Sequence, residues 1–220
     1  MAFWLLLGLI FLFFFPAFFL PVLVVLGFII LLLLPFRFAL HSIFLLLQAP
    51  GQIYQIAINK KLRKNHALEH ATINLLEGKF GKGLFFSGLA RENGFFIRGN
   101  GSPWEIEEAA NEGLIRLQQG EKDLAIHSRC GTTILAVNLI VALFFLLFLF
   151  GFRVFSILNV FLAIILANLV GPYLGLLFQR YLTTSPQVGD VVIRGVESRS
   201  PNNMPSPNWF FVHTSFLKTL

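Results

Sequence analysis

Three long apolar runs constrain what this chain can fold into. They cover residues 2–34, 132–150 and 154–179, and each approaches or exceeds the roughly 20 residues with which a helix crosses the hydrocarbon core of a bilayer. Charged residues make up only 13% of the chain and lie outside these runs; the last two runs and their connection contain only Arg153. This segregation predicts an integral membrane protein with one polar domain between two membrane-embedded blocks.

The first run is too long for one upright helix. At 1.5 Å per residue it would measure about 50 Å, against a hydrocarbon core of about 30 Å, and Pro16 and Pro21 interrupt it. We therefore expect one kinked, tilted span or a tight hairpin. The run lacks a positive start and exceeds the short apolar core of a cleaved signal peptide, so we expect it to remain as an anchor.

A shorter apolar segment, residues 36–48, follows the first run. It contains Arg37 and His41, which favours a helix lying at the membrane interface over another full crossing. The Ala-Pro-Gly sequence around Pro50 is then predicted to break the helix. Together these elements define an N-terminal membrane anchor, residues 1–50.

The last two runs predict a transmembrane helical hairpin, residues 131–180, because only three residues separate them. Both outer ends of such a hairpin face the same compartment. Arg129 and Arg180 flank these ends, against a lone Arg153 at the connection, and an excess of positive charge marks the cytoplasmic side. The polar domain and the C-terminal tail are therefore expected in the cytoplasm.

Polar and small residues occur inside the predicted spans. Asn138, Asn159 and Asn168 favour interhelical hydrogen bonds, while Gly171 and Gly175, four residues apart, favour close helix packing. Neither an acid nor a base lies within the last two runs, so we expect no channel or pump.

The net charge of +6 is concentrated next to the predicted membrane anchor. The densest basic cluster, residues 60–64, follows that anchor, a position in which Lys and Arg side chains attract anionic lipid headgroups. We expect the lipid bilayer as the partner of this cluster, and no nucleic acid.

The polar domain is predicted to have the element order α-β-β-α-β. A helix is expected at about residues 64–78, and Asn93-Gly94 between two short apolar segments predicts a β-hairpin. A second helix should begin after Ser102, which has the sequence of a capping box, and end at Gly120. Residues 123–127 predict the last strand.

The expected fold class is a multi-pass α-helical membrane protein with a small cytoplasmic α+β domain, residues 51–130. The polar tail, residues 181–220, contains a segment at 188–197 that favours a strand or hairpin able to extend the sheet. A segment rich in Pro, Ser and Asn at 198–208 favours partial disorder. We assign no chemistry to the tail.

The sequence HALEH places His66, Glu69 and His70 on one face of the first domain helix, opposite an apolar face. Histidines four residues apart can bind one Zn²⁺, and a nearby carboxylate can take a proton from metal-bound water. The His-x-x-Glu-His pattern resembles the inverted zincin metallopeptidases. That resemblance implies that His66 and His70 are ligands and Glu69 is the general base; the alternative is a solvated polar face.

A second pair of potential ligands, His127 and Cys130, precedes the hairpin directly. Cys130 is the only cysteine, so no internal disulfide can form. Both pairs should lie near the same membrane surface, where His66, His70, His127 and Cys130 would form the closed set of four ligands typical of structural zinc. The alternative is that His127 ends a strand and Cys130 is a small buried residue.

A catalytic zinc would have only three protein ligands. The peptidases that the HALEH pattern resembles take their third ligand from a glutamate on a later helix. In this chain that resemblance offers Glu105, Glu107, Glu108 or Glu112, with His127 as a further choice.

A longer resemblance covers residues 63–187. The sequences NHALEHATINLL and GLIRLQQGEKDLAIHSRCGT, with the hairpin that follows, are similar to an uncharacterised family of bacterial, mainly cyanobacterial, multi-pass membrane proteins that share HALEHAT and HxxCGT motifs. The resemblance implies a similar architecture and a location in a bacterial inner membrane or thylakoid membrane. It implies no particular activity.

Two functions remain open from the sequence. The first is a membrane-anchored zinc-dependent hydrolase, peptidase-like, in which Glu69 activates water on Zn²⁺ and the substrate is a peptide. The second is a non-enzymatic membrane scaffold or assembly factor that contacts other membrane proteins and contains a structural zinc or no metal.

Overall fold

The computed structural model is mostly helical and has one small antiparallel sheet. It describes residues 2–14, 16–81, 86–152, 157–202 and 208–217. Within those residues, three helices are long and apolar enough to cross a membrane, at Leu20–Ile58, Gly131–Gly151 and Ile157–Thr183.

The N-terminal part forms two helices, α1 (Ala2–Phe14) and α2 (Pro16–Ile58). Pro16 is the first residue of α2, a position where the missing N–H of proline costs no intrahelical hydrogen bond. Helix α2 is 43 residues long and continues through Pro21, Pro35 and Pro50.

The continuity of α2 corrects two expectations. The helix does not break at Pro50, and residues 36–48 belong to α2 instead of forming a separate interfacial helix. Proline within a long apolar helix is tolerated where neighbouring parts of the protein satisfy the freed backbone groups. Pro35 and Ala49 are buried, so the chain around two of the prolines is packed against other residues.

The polar domain begins with α3 (Lys60–Phe80), β1 (Ser87–Arg91), β2 (Gly94–Arg98) and α4 (Pro103–Gln118). The predicted β1–β2 hairpin is confirmed, but its two loop residues are Glu92 and Asn93, because Gly94 already belongs to β2 and pairs with Arg91. The capping box of α4 is also confirmed, because the Ser102 side chain accepts from the Glu105 N–H while the Glu105 carboxylate accepts from the Ser102 N–H.

The predicted helical hairpin consists of α5 (Gly131–Phe152) and α6 (Ile157–Phe178), followed by a π turn (Gln179–Thr183). The two helices pack closely at the predicted glycines. A Cβ atom on Gly171 would lie 2.7 Å from Val137 Cγ2, and one on Gly175 would lie 2.5 Å from Thr133 Cγ2. Only glycine permits this separation of the helices.

The prediction of a strand at residues 123–127 is wrong, because Lys122–Ala125 forms a 3₁₀ turn. The sheet is completed by the tail, with β3 (Val191–Ser198) and β4 (Trp209–Phe216), in the order β1-β2-β4-β3. Strand β4 is rich in aromatic and β-branched residues. This composition suits the buried position beside β2 better than the short sequence at residues 123–127 does. The strand predicted within residues 188–197 is confirmed.

The tail is therefore an integral part of the fold. Phe210, Phe211 and Val212 of β4 are buried, and Phe211 pairs with Phe96 of β2. Part of the segment expected to be disordered, residues 203–207, lies outside the described residues. Because β2 precedes the hairpin and β4 follows it, the domain is assembled from chain on both sides of α5 and α6.

Candidate metal centre

Helix α3 is the central element of the site, and both of its faces are covered. Residues 65–73 are all buried, so the alternative of a solvated polar face is wrong. His66 contacts Cys130, which precedes the hairpin, and Thr183, which follows it. The residues at the two ends of the hairpin thus cover the polar face of α3.

Both histidines of α3 are oriented by backbone carbonyl groups. His66 Nδ1 lies 2.9 Å from the carbonyl oxygen of Thr183, and His70 Nδ1 lies 2.8 Å from that of Ala125. A carbonyl only accepts, so each Nδ1 carries a proton. His70 can present an Nε2 lone pair, whereas His66 must first release the Nε2 proton that it shares with Cys130. Metal-binding histidines are commonly fixed by this type of hydrogen bond.

The potential ligand atoms of His66, His70 and Cys130 lie close together. One potential ligand atom each from His66, His70 and Cys130 lies within 4.8 Å of the other two, and all three residues are buried. Ligands of a tetrahedral zinc ion are about 3.5 Å apart, as bond lengths of about 2.0 to 2.3 Å require. We call these three residues the His-His-Cys cluster.

The Nε2 atom of His70 is the cluster atom that most directly suggests metal binding. The atom is buried and has no hydrogen-bond partner within the described part of the chain. A buried polar atom without a partner costs about 1–3 kcal/mol. Burial and the nearby His66 lower the pKa of His70 to about 3, which keeps its ring neutral and able to bind a metal.

Cys130 and His66 form a polarised pair. The Cys130 Sγ lies 3.3 Å from His66 Nε2 and 3.0 Å from the Thr132 hydroxyl oxygen, at the start of α5. Burial opposes ionisation of the thiol, but the hydrogen bond with His66 outweighs it and lowers the pKa of Cys130. Burial likewise opposes charge on His66, but Cys130 and Glu69 raise its pKa to about 9. The sulfur is therefore favoured as a thiolate, the form that binds metals.

Glu69 lies beside the cluster and is buried. Burial raises the pKa of its carboxyl group, against the opposing effects of His66 and His70. The backbone N–H of Ala90 in β1 also favours the charged form and so lowers the pKa. A Cβ atom at Gly88 would overlap this carboxylate, so the glycine makes room for Glu69.

A cavity of about 200 Å³ reaches the cluster. Its lining combines chemically reactive side chains with apolar residues of α2, α3 and β1, namely Ile56, Leu62, His66, Glu69, Gly88, Leu89, Ala90, Cys130, Gly131 and Thr132. A larger cavity of about 600 Å³ lies between the 3₁₀ turn and α6, and none of the three cluster residues lines it. The smaller cavity is the candidate site because of its chemistry.

His127, predicted as a fourth ligand, has different partners. Its Nε2 lies 3.3 Å from a carboxylate oxygen of Glu77, and its ring centre lies 6.0 Å from that of His70. Its backbone N–H and carbonyl both bond to the Gln179 side chain. The structure therefore brings together three of the four predicted ligands and places His127 next to them.

The α4 glutamates that the zincin resemblance offered as a third ligand do not join the cluster among the described residues. Glu105 caps α4, Glu108 pairs with Lys79, and Glu112 pairs with Arg116. The third potential ligand of the cluster is instead the sulfur atom of Cys130. Sequence reasoning missed the supporting carbonyls of Ala125 and Thr183, because no residue type marks a backbone acceptor.

A family model matches residues 61–196, which include the whole His-His-Cys cluster and Glu69. It is described as a domain of unknown function (DUF6391). The chain belongs to this family. The match agrees with the resemblance found at residues 63–187 and extends it into β3.

A cyanobacterial relative supports this assignment. An uncharacterised protein of Picosynechococcus sp. (strain ATCC 27264 / PCC 7002 / PR-6) is 33% identical over 89 residues. The alignment covers 37% of this chain and 43% of the relative, so this chain spans less than half the length of that protein. No solved structure matches the chain significantly.

Proposed function

We propose that the protein is a membrane-anchored, zinc-dependent hydrolase that acts on peptide bonds. In this proposal His66, His70 and Cys130 bind Zn²⁺, and Glu69 is the general base. The observation that carries the proposal is the convergence of three buried ligand atoms within 4.8 Å of one another, with both histidines fixed through Nδ1 and Nε2 of His70 lacking a partner.

The donor set suits zinc and a catalytic role. Two imidazole nitrogens and one thiolate are typical zinc ligands, and three protein ligands leave a fourth position for water. The cavity lined by His66, Cys130 and Glu69 gives that position access from outside the domain. A structural site with four protein ligands would leave no such position.

Glu69 has the features required of the base. Zinc supplies Lewis acidity and lowers the pKa of a bound water. Glu69 would be the group that accepts a proton from a water molecule adding to the peptide carbonyl carbon, and would deliver that proton to the amine nitrogen as the C–N bond breaks. The Ala90 N–H favours its carboxylate form, and Glu69 lines the same cavity as His66 and Cys130.

We further propose that α2, α5 and α6 cross a bacterial inner or thylakoid membrane, with the polar domain in the cytoplasm. The three helices have the length and apolarity for crossing. The basic residues 60–64 and Arg180 lie at the domain side of these helices, where positive charge marks the cytoplasmic face and binds anionic lipids.

The proposed zinc is tested by elemental analysis of the detergent-purified protein, prepared without chelators. We expect about one zinc per chain. His66→Ala, His70→Ala and Cys130→Ser should each lose most of it, whereas His127→Ala should retain it. Absence of zinc from the wild-type protein would refute the metal site.

A second candidate function is a non-enzymatic scaffold with a structural zinc. This function is favoured by the positions of the ligands in the chain. His66 and His70 lie in α3 and Cys130 lies directly before α5, so a bound zinc would connect the domain to the hairpin. The variant Glu69→Gln separates the two functions. A hydrolase should retain zinc and lose peptide cleavage, whereas a scaffold should be unchanged in both zinc content and stability.

A further inference from the structure

The cavity of the candidate metal centre is lined by residues at the points where the proposed membrane helices meet the domain. Ile56 lies in the last turn of α2, while Gly131 and Thr132 lie in the first turn of α5, and all three line the cavity. The opposite wall is formed by β1. The reactive groups are therefore placed next to the expected membrane surface.

Strand β1 is an edge strand. It pairs with β2 on one side, and within the described residues no strand pairs with its other side. The hairpin loop has two residues, so Arg91 and Gly94 form the closing hydrogen-bonded pair and the pairs alternate from there. The backbone groups of Gly88 and Ala90 consequently point away from β2.

The Ala90 N–H acts on the Glu69 carboxyl group, which agrees with this orientation. A Cβ atom at Gly88 would overlap the same carboxylate, so β1 lies directly beside the proposed base. The Gly88 N–H and the carbonyl groups of Gly88 and Ala90 are left for a further strand. An extended peptide added along β1 would follow the main-chain hydrogen-bonding mode of strand addition, with its backbone passing the His-His-Cys cluster.

The size and polarity of the cavity restrict what can bind. At about 200 Å³ it is smaller than the roughly 300–1,000 Å³ of typical small-molecule pockets, and accommodates one or two side chains of an extended segment. Its apolar lining residues include Ile56, Leu62 and Leu89, and Leu89 is 39% exposed. An uncharged segment is therefore favoured.

We propose that the substrate is the extended, uncharged segment of a membrane-anchored protein where it leaves the bilayer, bound as an added strand on β1. This inference rests on the proposed hydrolase function. The bound segment is held by main-chain hydrogen bonds and selected by its distance from the membrane.

The test measures photo-crosslinking, which does not require cleavage. Benzoylphenylalanine replaces Leu89 in the Glu69→Gln protein, which is reconstituted in phosphatidylcholine–phosphatidylglycerol vesicles. The probe is a biotinylated peptide with an apolar span of about 20 residues, followed directly by an extended Val/Ser/Thr segment. A second probe has a Gly/Ser linker of about 15 residues between the two parts, which moves the segment about 20 Å away.

We expect position 89 to crosslink the direct probe at least fivefold more than the linker probe. N-methylation of alternate amides in the segment should reduce the yield to that of the linker probe, because it removes the strand hydrogen bonds. Benzoylphenylalanine at Ile115, an exposed residue of α4, is the matched control and should crosslink both probes weakly.

Equal yields from the two probes, or no effect of N-methylation, would overturn the substrate inference. The failure of the proposed function has a different signature. A wild-type protein that contains no zinc refutes the hydrolase whatever the crosslinks show, whereas a zinc-containing protein that cleaves soluble peptides but shows no preference at position 89 refutes only the inference.

Discussion

At the scale of single residues, the site depends on groups that hold the reactive side chains in place. His66 and His70 are each fixed by a carbonyl oxygen from a distant part of the chain, Thr183 and Ala125. Glu69 is fixed by β1. The sequence identified the reactive residues but not these supports, because the supports are main-chain atoms brought close only by folding.

Gly88 provides a test of the position of Glu69. A Cβ atom at Gly88 would overlap the Glu69 carboxylate, the flexible end of that side chain, so Gly88→Ala should displace the carboxylate and leave the ligands in place. General-base catalysis contributes about 10²- to 10⁴-fold. We expect peptide cleavage to fall by about 100-fold with zinc content unchanged.

The control for this prediction is Gly78→Ala, because nothing lies within 4 Å of a Cβ atom at Gly78. It should leave both cleavage and zinc content unaltered. Full activity of the Gly88→Ala protein would show that the Glu69 carboxylate does not need its present position.

At the scale of secondary structure elements, local signals were reliable and long-range ones were not. The capping box at Ser102 and the β1–β2 hairpin were predicted correctly, with the turn one residue earlier than expected, because each is determined by a few neighbouring residues. The pairing of β2 with β4 joins segments more than 100 residues apart, and no local pattern specifies it. The continuity of α2 through Pro50 likewise depends on packing, not on the proline itself.

The connection between the hairpin and the domain depends on Gln179. Its side chain accepts from the His127 N–H at 2.8 Å and donates to the His127 carbonyl at 2.9 Å, and it is completely buried. Gln179→Ala should leave both backbone groups without partners, at a cost of about 1–3 kcal/mol each.

We expect Gln179→Ala to lower the midpoint of thermal unfolding in detergent by several degrees. Gln118→Ala is the matched control, because Gln118 is exposed and makes one long hydrogen bond of 3.4 Å to Val188. An equal effect of the two substitutions would contradict the proposed role of Gln179 in connecting the hairpin to the domain.

The packing of α5 against α6 gives a further prediction. Gly171→Ile introduces a branched side chain where Val137 already lies within 2.7 Å of a Cβ position, and overpacking of this kind costs about 1–3 kcal/mol. The midpoint of thermal unfolding should therefore fall. Gly27→Ile in α2 is the control, because nothing lies within 4 Å of the added Cβ, and it should have little effect. Similar losses of stability from both substitutions would mean that the glycines act only through helix propensity.

At the scale of the whole molecule, the sheet and the hairpin constrain each other. Strand β2 comes before α5 and β4 comes after α6, yet the two are paired along five residues. The chain must therefore leave the domain and return to the same side. A hairpin with two crossings satisfies this requirement, and the cluster between α3 and Cys130 lies where the hairpin starts.

This arrangement predicts which positions can be labelled from outside the cell. Ser102 lies in the polar domain, at the start of α4, and Gly151 lies in the last turn of α5, whose first turn is next to Cys130. The native Cys130 is buried, so it gives a low background. With the domain in the cytoplasm, a membrane-impermeant maleimide added to spheroplasts should label Gly151→Cys and not Ser102→Cys.

Permeabilised cells provide the control, since both introduced cysteines should then react. Labelling of Ser102→Cys in intact spheroplasts would reverse the proposed orientation, and labelling of both positions would show that the hairpin does not cross. The first result would leave the metal centre unchanged but move its substrates to the other side of the membrane. The second would also remove the basis for a substrate at the membrane surface, because Gly131 and Thr132 would no longer mark the point where a span begins.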